Sequence, residues 1–107
     1  MKETITIDLN DAKLLKEEAS LISFGAKVKQ MLYYMFAEPG QSLRAFQIRG
    51  NRPDVMAFGA ALASEKAYMD SYLKHGLNDP GVLNNRYRLD KAVEKFEKET
   101  GIKWPLK

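Results

Sequence analysis

The residues of this sequence that could do chemistry are a single histidine, 14 carboxylates and 17 lysines or arginines, and there is no cysteine. To act as a base, His75 would need an orienting carboxylate. Asp79 is the nearest carboxylate that follows it, but a helix-ending glycine, Gly76, separates the two. We therefore interpret His75 as a solvent-facing residue in the last turn of a helix, where the helix dipole favours positive charge.

The carboxylates do not form a pattern that is typical of catalysis. Pairs occur at Asp8 with Asp11, at Glu17 with Glu18 and at Glu94 with Glu97. Each pair lies among lysines on a solvated face, whereas acid–base catalysis needs two carboxylates that face each other across an apolar cleft. A metal site needs several ligands at defined spacing, and a thiolate site needs cysteine. We therefore predict no catalytic residue, no metal, no cofactor and no enzymatic activity.

The arginines all lie between residues 41 and 89, which makes the middle of the chain its basic part. Arg49 and Arg52 flank a helix entry, where free backbone N–H groups and two guanidinium groups could hold an anion, although Asp54 adds negative charge there. Arg86 and Arg88 flank a tyrosine, an alternation that suits nucleic acid. These four arginines are the predicted nucleic-acid or anion-binding residues. With a net charge of +3, binding would be weak and salt-dependent.

Two long helices with clear ends are predicted in the second half of the chain. The first spans residues 53–75, with Asn51 as N-cap and Gly76 suited to a left-handed position after the last turn. The second starts at Asp79, another N-cap candidate, and ends at Gly101, after which Trp104 folds back over the helix end. The first helix also carries small residues along one flank, which should let the last helix approach closely. These residues are Gly59, Ala60, Ala63 and Ala67.

The first half of the chain predicts strands and one helix. Alternation from Glu3 to Leu9 indicates a half-buried strand. An amphipathic helix follows and is expected to stop near Phe24, because Gly25 suits a C-cap. Residues 43–49 indicate a second apolar strand.

Residues 26–36 allow two interpretations. A helical pattern of apolar residues continues straight through Gly25, which would give one long helix. We favour a strand, because apolar and aromatic residues occur at both odd and even positions and because residues 38–41 carry the Pro-Gly signature of a type II turn. The strand would then form a β-hairpin with residues 43–49.

The resulting order, β-α-β-β-α-α, predicts an α+β fold with a small mixed three-stranded sheet that helices cover on one face. Residues 1–107 are expected to form a single domain. The longest mostly apolar run, residues 31–37, is shorter than the roughly 20 residues that span a bilayer. No signal-peptide pattern is found at residues 1–8, so we expect a cytoplasmic location without membrane or metal partners.

The uncovered face of this predicted hairpin carries the functional prediction. Its residues are Tyr33, Met35, Arg44 and Phe46, which are of the types enriched at protein interfaces. We predict a non-enzymatic interaction module, a small regulatory or inhibitory protein that binds a protein partner or a second copy of itself through these residues. The alternative is a weak, basic nucleic-acid-binding domain that uses the arginines of residues 44–88.

Overall fold

The structure is a computed structural model that describes residues 4–14, 18–37 and 45–106. In order, its elements are β1 (Thr4–Asp8), α1 (Leu9–Leu14), α2 (Glu18–Ala37), β2 (Ala45–Arg49), α3 (Arg52–His75) and α4 (Pro80–Thr100). The described part of the chain is therefore mostly helical. None of its helices combines the length and the apolar character that crossing a membrane requires.

The two strands form one parallel sheet, in which Ile5 pairs with Phe46 and Ile7 with Ile48. Ile5 and Ile7 are both buried, which confirms the alternating pattern predicted for the first strand. Two parallel strands need a crossover connection, since a tight turn would reverse the chain direction. Here the helices α1 and α2 lie between the strands in the sequence and belong to that connection.

The prediction of a strand at residues 26–36 is wrong, because α2 continues through Gly25 to Ala37. Phe24, Val28 and Met31 lie on its buried face, as the rejected helical pattern required. Gly25 is not a C-cap. A Cβ atom at this position would lie 3.1 Å from the Cβ of Pro105, so the glycine permits the C-terminal segment to pack against the helix.

The predicted three-stranded mixed sheet is wrong for the same reason. Once residues 26–36 are helical, no β-hairpin can form between them and the strand that follows. That strand does lie beside β1, but it runs parallel to it within a two-stranded sheet. The predicted turn at residues 38–41 lies outside the described residues.

The predicted positions of the helix ends in the second half of the chain are confirmed, but the left-handed conformation predicted for Gly76 is wrong. Asn51 caps α3, its side chain accepting a hydrogen bond from the third helical N–H at 3.0 Å. Asp79 caps α4 in a similar way at 2.8 Å. Gly101 is left-handed after α4 (φ 74°, ψ 5°), whereas Gly76 has a positive φ of 81° with an extended ψ. Both glycines therefore use backbone conformations that other residues rarely adopt.

Phe58 lies at the centre of the core, and aromatic rings from three other segments surround it. Its ring centroid is 6.1 Å from that of Phe24, 6.0 Å from that of Phe96 and 5.9 Å from that of Trp104. Trp104 is buried, as predicted from the sequence that follows Gly101. The C-terminal segment thus joins α2, α3 and α4 in one apolar core.

The small-residue flank of α3 is not closely packed against α4 as predicted, although Ala60 lines the groove between the two helices. Ala60, Ala63 and Ala67 are exposed, while Ala57 and Ala61 are buried. The helices α3 and α4 pack side by side, yet this flank of α3 is left open. The structure therefore leaves a strip of small side chains accessible along a long helix.

Alanine substitutions at two helical glycines should have different effects on stability. Gly59→Ala is expected to raise the free energy of unfolding by about 0.5–1 kcal/mol, the usual gain in helix propensity. A Cβ atom there meets no heavy atom within 4 Å. Gly25→Ala should gain less, because its new methyl group crowds Pro105. Urea denaturation of both variants measures the difference, and equal stabilisation would contradict close packing at Gly25.

Candidate functional site

The predicted partner-binding residues do not form a common sheet face. Tyr33 lies on α2 and is 65% exposed. Met35 is also part of α2, whereas Phe46 belongs to β2. Arg44 lies outside the described residues, as do the side chains of Met35 and Phe46. The prediction of a common β-hairpin face is therefore wrong, and binding through these residues stays a prediction.

The four predicted anion-binding arginines fall into two groups. Arg49 and Arg52 are exposed on either side of the turn from β2 into α3, as predicted. Arg86 and Arg88 are exposed near the start of α4. Because successive residues turn by about 100° around a helix, the latter two project in nearly opposite directions. The four guanidinium groups therefore do not form one continuous surface.

Arg86 is engaged by neighbouring side chains. Its Nε donates a hydrogen bond to Oδ1 of Asp90 at 3.1 Å, and its Nη1 donates to the hydroxyl of Tyr68 at 3.5 Å. The guanidinium carbon also lies 5.5 Å from the centroid of the Tyr68 ring. The bonds to Tyr68 and Asp90 raise the pKa of Arg86 above its ordinary value. Binding a phosphate through Arg86 would compete with these contacts.

A polar pocket of about 190 Å³ lies between α3, α4 and the C-terminal segment. We call it the Glu65 pocket. Its lining residues are Glu65, Tyr68, Arg86, Leu89, Asp90, Val93, Trp104 and Leu106. Glu65 is only 4% exposed, which is unusual for a carboxylate.

The carboxylate of Glu65 accepts a hydrogen bond at Oε1 from the indole Nε1 of Trp104, at 2.9 Å. Burial raises the pKa of Glu65, while this bond and the positive charge of Arg86 oppose the increase. An ionised carboxylate can accept about four hydrogen bonds. Within the described part of the chain it accepts this one alone, so it retains acceptor capacity in a pocket that a small molecule could enter.

Glu65 was not predicted as a functional residue, although the sequence contains a signal for it. The apolar stripe of α3 includes Phe58, Leu62, Met69 and Tyr72. Glu65 occupies the position between Leu62 and Met69 at helical spacing, so it falls on the buried face. A charged residue within an apolar stripe is the pattern that predicts a buried ionisable group.

The buried carboxyl group predicts a specific pH dependence of stability. Because the pKa of Glu65 is raised above its ordinary value of 4.5, the folded protein binds this proton more readily than the unfolded chain. Wild type should therefore be most stable relative to Glu65→Gln below pH 4.5 and lose that advantage as pH rises through the raised pKa. The change should be about 1.4 kcal/mol for each unit of pKa difference. Urea unfolding of both proteins between pH 4 and 8 measures this change. The prediction would be contradicted if the unfolding free energies of the two proteins depended on pH in parallel.

An apolar groove of about 490 Å³ runs between the first half of α3 and the second half of α4. We call it the α3–α4 groove. It is lined by Arg52, Pro53, Met56, Ala57, Ala60, Ala92, Lys95 and Glu99. Met56 is 62% exposed, and the alanines keep the groove wide. The charged side chains come from both helices.

The groove continues into the open flank of α3. Met56, Ala60, Ala63 and Ala67 follow each other at spacings of four, three and four residues and are all exposed. At this spacing, side chains lie on one face of a helix. The groove and the flank together form an elongated apolar surface that a second helix could contact.

The described residues contain no group of three or more histidine or acidic side chains that could hold a metal ion. The chain matches no protein-family model, and neither a curated protein nor a solved structure matches it.

Proposed function

We propose that this protein is a non-enzymatic interaction module that binds an amphipathic helix of a partner protein in the α3–α4 groove. The observation that carries the proposal is the apolar groove of about 490 Å³ with the exposed side chain of Met56 in it. Helix-in-groove recognition places the apolar face of a helix against such a surface. The alanines of the groove and flank would let the two helices approach closely, since interaxial distance depends on side-chain size.

The charged residues beside the groove indicate the charge of the partner helix. Arg52 and Lys95 border the groove against the single acidic residue Glu99 among its lining. Arg88 lies seven residues before Lys95, so it extends the same side of α4 towards the turn. We therefore propose a partner helix with acidic residues beside its apolar face. Rim charges mainly affect association rate and salt dependence, so binding should weaken as salt rises.

The function predicted from the sequence is thus retained, but a different surface performs it. The β-hairpin face is absent from the fold, and the α3–α4 groove takes its place. A protein that only binds a helix of its partner would act as a regulator or inhibitor, by covering that helix or by joining it to another component. Tyr33, exposed on α2, remains a competing contact residue.

Met56→Glu should weaken partner binding at least tenfold, since it places a charge among apolar contacts and opposes an acidic partner helix. The matched control is Leu83→Glu, which makes the same kind of change at a residue that is 59% exposed and outside the groove. A partner is first isolated from the native host by affinity purification, and hydrogen exchange maps its contact segment. A peptide of that segment is then titrated against wild type and both variants by calorimetry.

Three results would contradict the groove as the binding site. Equal weakening by Met56→Glu and Leu83→Glu would place binding elsewhere on the hairpin of α3 and α4. Loss of the partner with Tyr33→Glu alone would favour α2. Retention of RNA or DNA at low salt that disappears in an Arg86→Ala, Arg88→Ala double variant would favour the nucleic-acid alternative.

A further inference from the structure

We propose that the Glu65 pocket binds a small organic cation that carries a primary ammonium group. The pocket holds a buried carboxylate with spare acceptor capacity, and the aromatic residues Tyr68 and Trp104 belong to its lining. An ammonium group donates three hydrogen bonds and is attracted to aromatic faces. This inference goes beyond helix binding, because the pocket shares no lining residue with the α3–α4 groove.

The ionised side chains that line the pocket carry one more negative charge than positive charge, so one cation would neutralise them. Glu65 and Asp90 contribute two negative charges, and Arg86 contributes one positive charge. Arg86 is paired with Asp90 through the hydrogen bond of 3.1 Å. The charge of Glu65 is thus the one without an ion pair among the lining residues, and a buried charge is favourable only when it is paired.

The size and the apolar lining limit the rest of the ligand. A volume of about 190 Å³ is below the roughly 300–1,000 Å³ of typical ligand pockets, so the ligand should be small. Leu89, Val93 and Leu106 supply an apolar wall. An ammonium group on a chain of a few carbons satisfies both the carboxylate and this wall. A metal ion would be a poorer ligand, since it needs several oxygen donors and Asp90 is already engaged by Arg86.

Trp104 makes the test direct, because it is the only tryptophan and its indole N–H is bonded to Glu65. n-Butylammonium chloride is titrated into the protein at pH 8 while the fluorescence of Trp104 is recorded. We expect a saturable change at millimolar concentration. Sodium chloride at the same ionic strength and 1-butanol at the same concentration should not produce it.

Substitutions test whether the fluorescence change of Trp104 depends on the carboxylate of Glu65. Glu65→Gln should abolish the saturable change, and Asp90→Asn should weaken binding several-fold. Glu94→Gln is the matched control, since Glu94 is an exposed residue of α4 outside the pocket, and its binding should equal that of wild type. Butylammonium should also raise the Tm of wild type relative to sodium chloride, because a ligand of the native state stabilises it.

The source of the ammonium group is distinguished by a second ligand. Binding of N-acetyl-lysine methylamide as tightly as butylammonium would support a lysine side chain as the natural ligand, whereas binding of the free amine alone would support a small amine. A response to 1-butanol equal to that to butylammonium, an unchanged response in Glu65→Gln, or the absence of any saturable change would overturn the proposal. If Glu65→Gln does not fold, an undiminished response in Asp90→Asn together with an unchanged wild-type Tm overturns it.

Discussion

Phe58→Ala is expected to lower the free energy of unfolding by about 4 kcal/mol, within the range of large-to-small substitutions in close-packed cores. Phe58 is fully buried, with a relative exposure of 0%, and its ring contacts rings from α2, α4 and the C-terminal segment. Truncation removes its apolar contacts and leaves a cavity between three segments that must all move to fill it. Since domains of this size have stabilities of about 5–15 kcal/mol, the variant should be near the limit of folding.

Leu83→Ala provides the comparison for Phe58→Ala. Leu83 is also a large apolar residue of a helix, but it is 59% exposed, so its truncation should change stability by less than about 0.5 kcal/mol. Urea denaturation followed by far-UV circular dichroism measures both variants. A cost below about 1 kcal/mol for Phe58→Ala would show that the aromatic cluster is not the centre of the core.

The second large effect is expected for Trp104→Phe, which should lower the free energy of unfolding by about 3 kcal/mol at neutral pH. The substitution keeps an aromatic ring beside Phe58 and Phe96, yet it removes the indole N–H that donates to Glu65. The carboxylate is then buried without this hydrogen bond. Leaving a buried polar group unsatisfied costs about 1–3 kcal/mol, and more when the group is charged.

A double variant separates the lost hydrogen bond from lost packing. Adding Glu65→Met to Trp104→Phe removes the carboxylate and should restore more than half of the lost stability, because apolar replacement of a buried polar pair is often close to neutral. The two single variants and the double variant form a thermodynamic cycle, measured by urea denaturation at pH 7. Additive effects of the two substitutions would contradict an energetic coupling between Glu65 and Trp104.

The helix ends were predictable because the signals are local. Asn51 and Asp79 are each followed within one residue by the start of a helix, and their side chains bond to N–H groups only two or three positions away. Gly101 likewise ends α4 through its own backbone conformation. Such interactions depend on neighbouring residues alone, so the sequence is sufficient to predict them.

Residues 26–36 were predicted incorrectly because Gly25 was interpreted as a helix end, although a helical pattern of apolar residues continues through it. Gly25 is compatible with a helix end, but Pro105 packs where its side chain would be. This contact joins residues that are far apart, so no local pattern indicates it. The orientation predicted for β2 was wrong for the same reason. A β-hairpin requires antiparallel strands, whereas a helical connection favours parallel ones.

The two binding regions differ in how far the sequence could predict them. Glu65 could have been found from its position in an apolar stripe, although its bond to Trp104 could not. The α3–α4 groove depends on how two helices pack. The positions of Ala60 and Ala92 in its lining therefore follow from the tertiary structure and not from a sequence pattern. Arg52 was predicted at the helix entry, but its place beside Lys95 follows from the tertiary structure.

The parallel pairing of the two strands has a consequence for the route by which the chain folds. Thr6 and Gln47 are register partners separated by 41 positions, whereas α3 and α4 are joined by only the four residues 76–79. Closing a long loop costs more entropy than closing a short one, and non-local contacts slow folding. The helical hairpin should therefore assemble early, and docking of the N-terminal strand should set the overall rate. In pulse-labelling experiments, amides of α3 and α4 should then gain protection before those of β1.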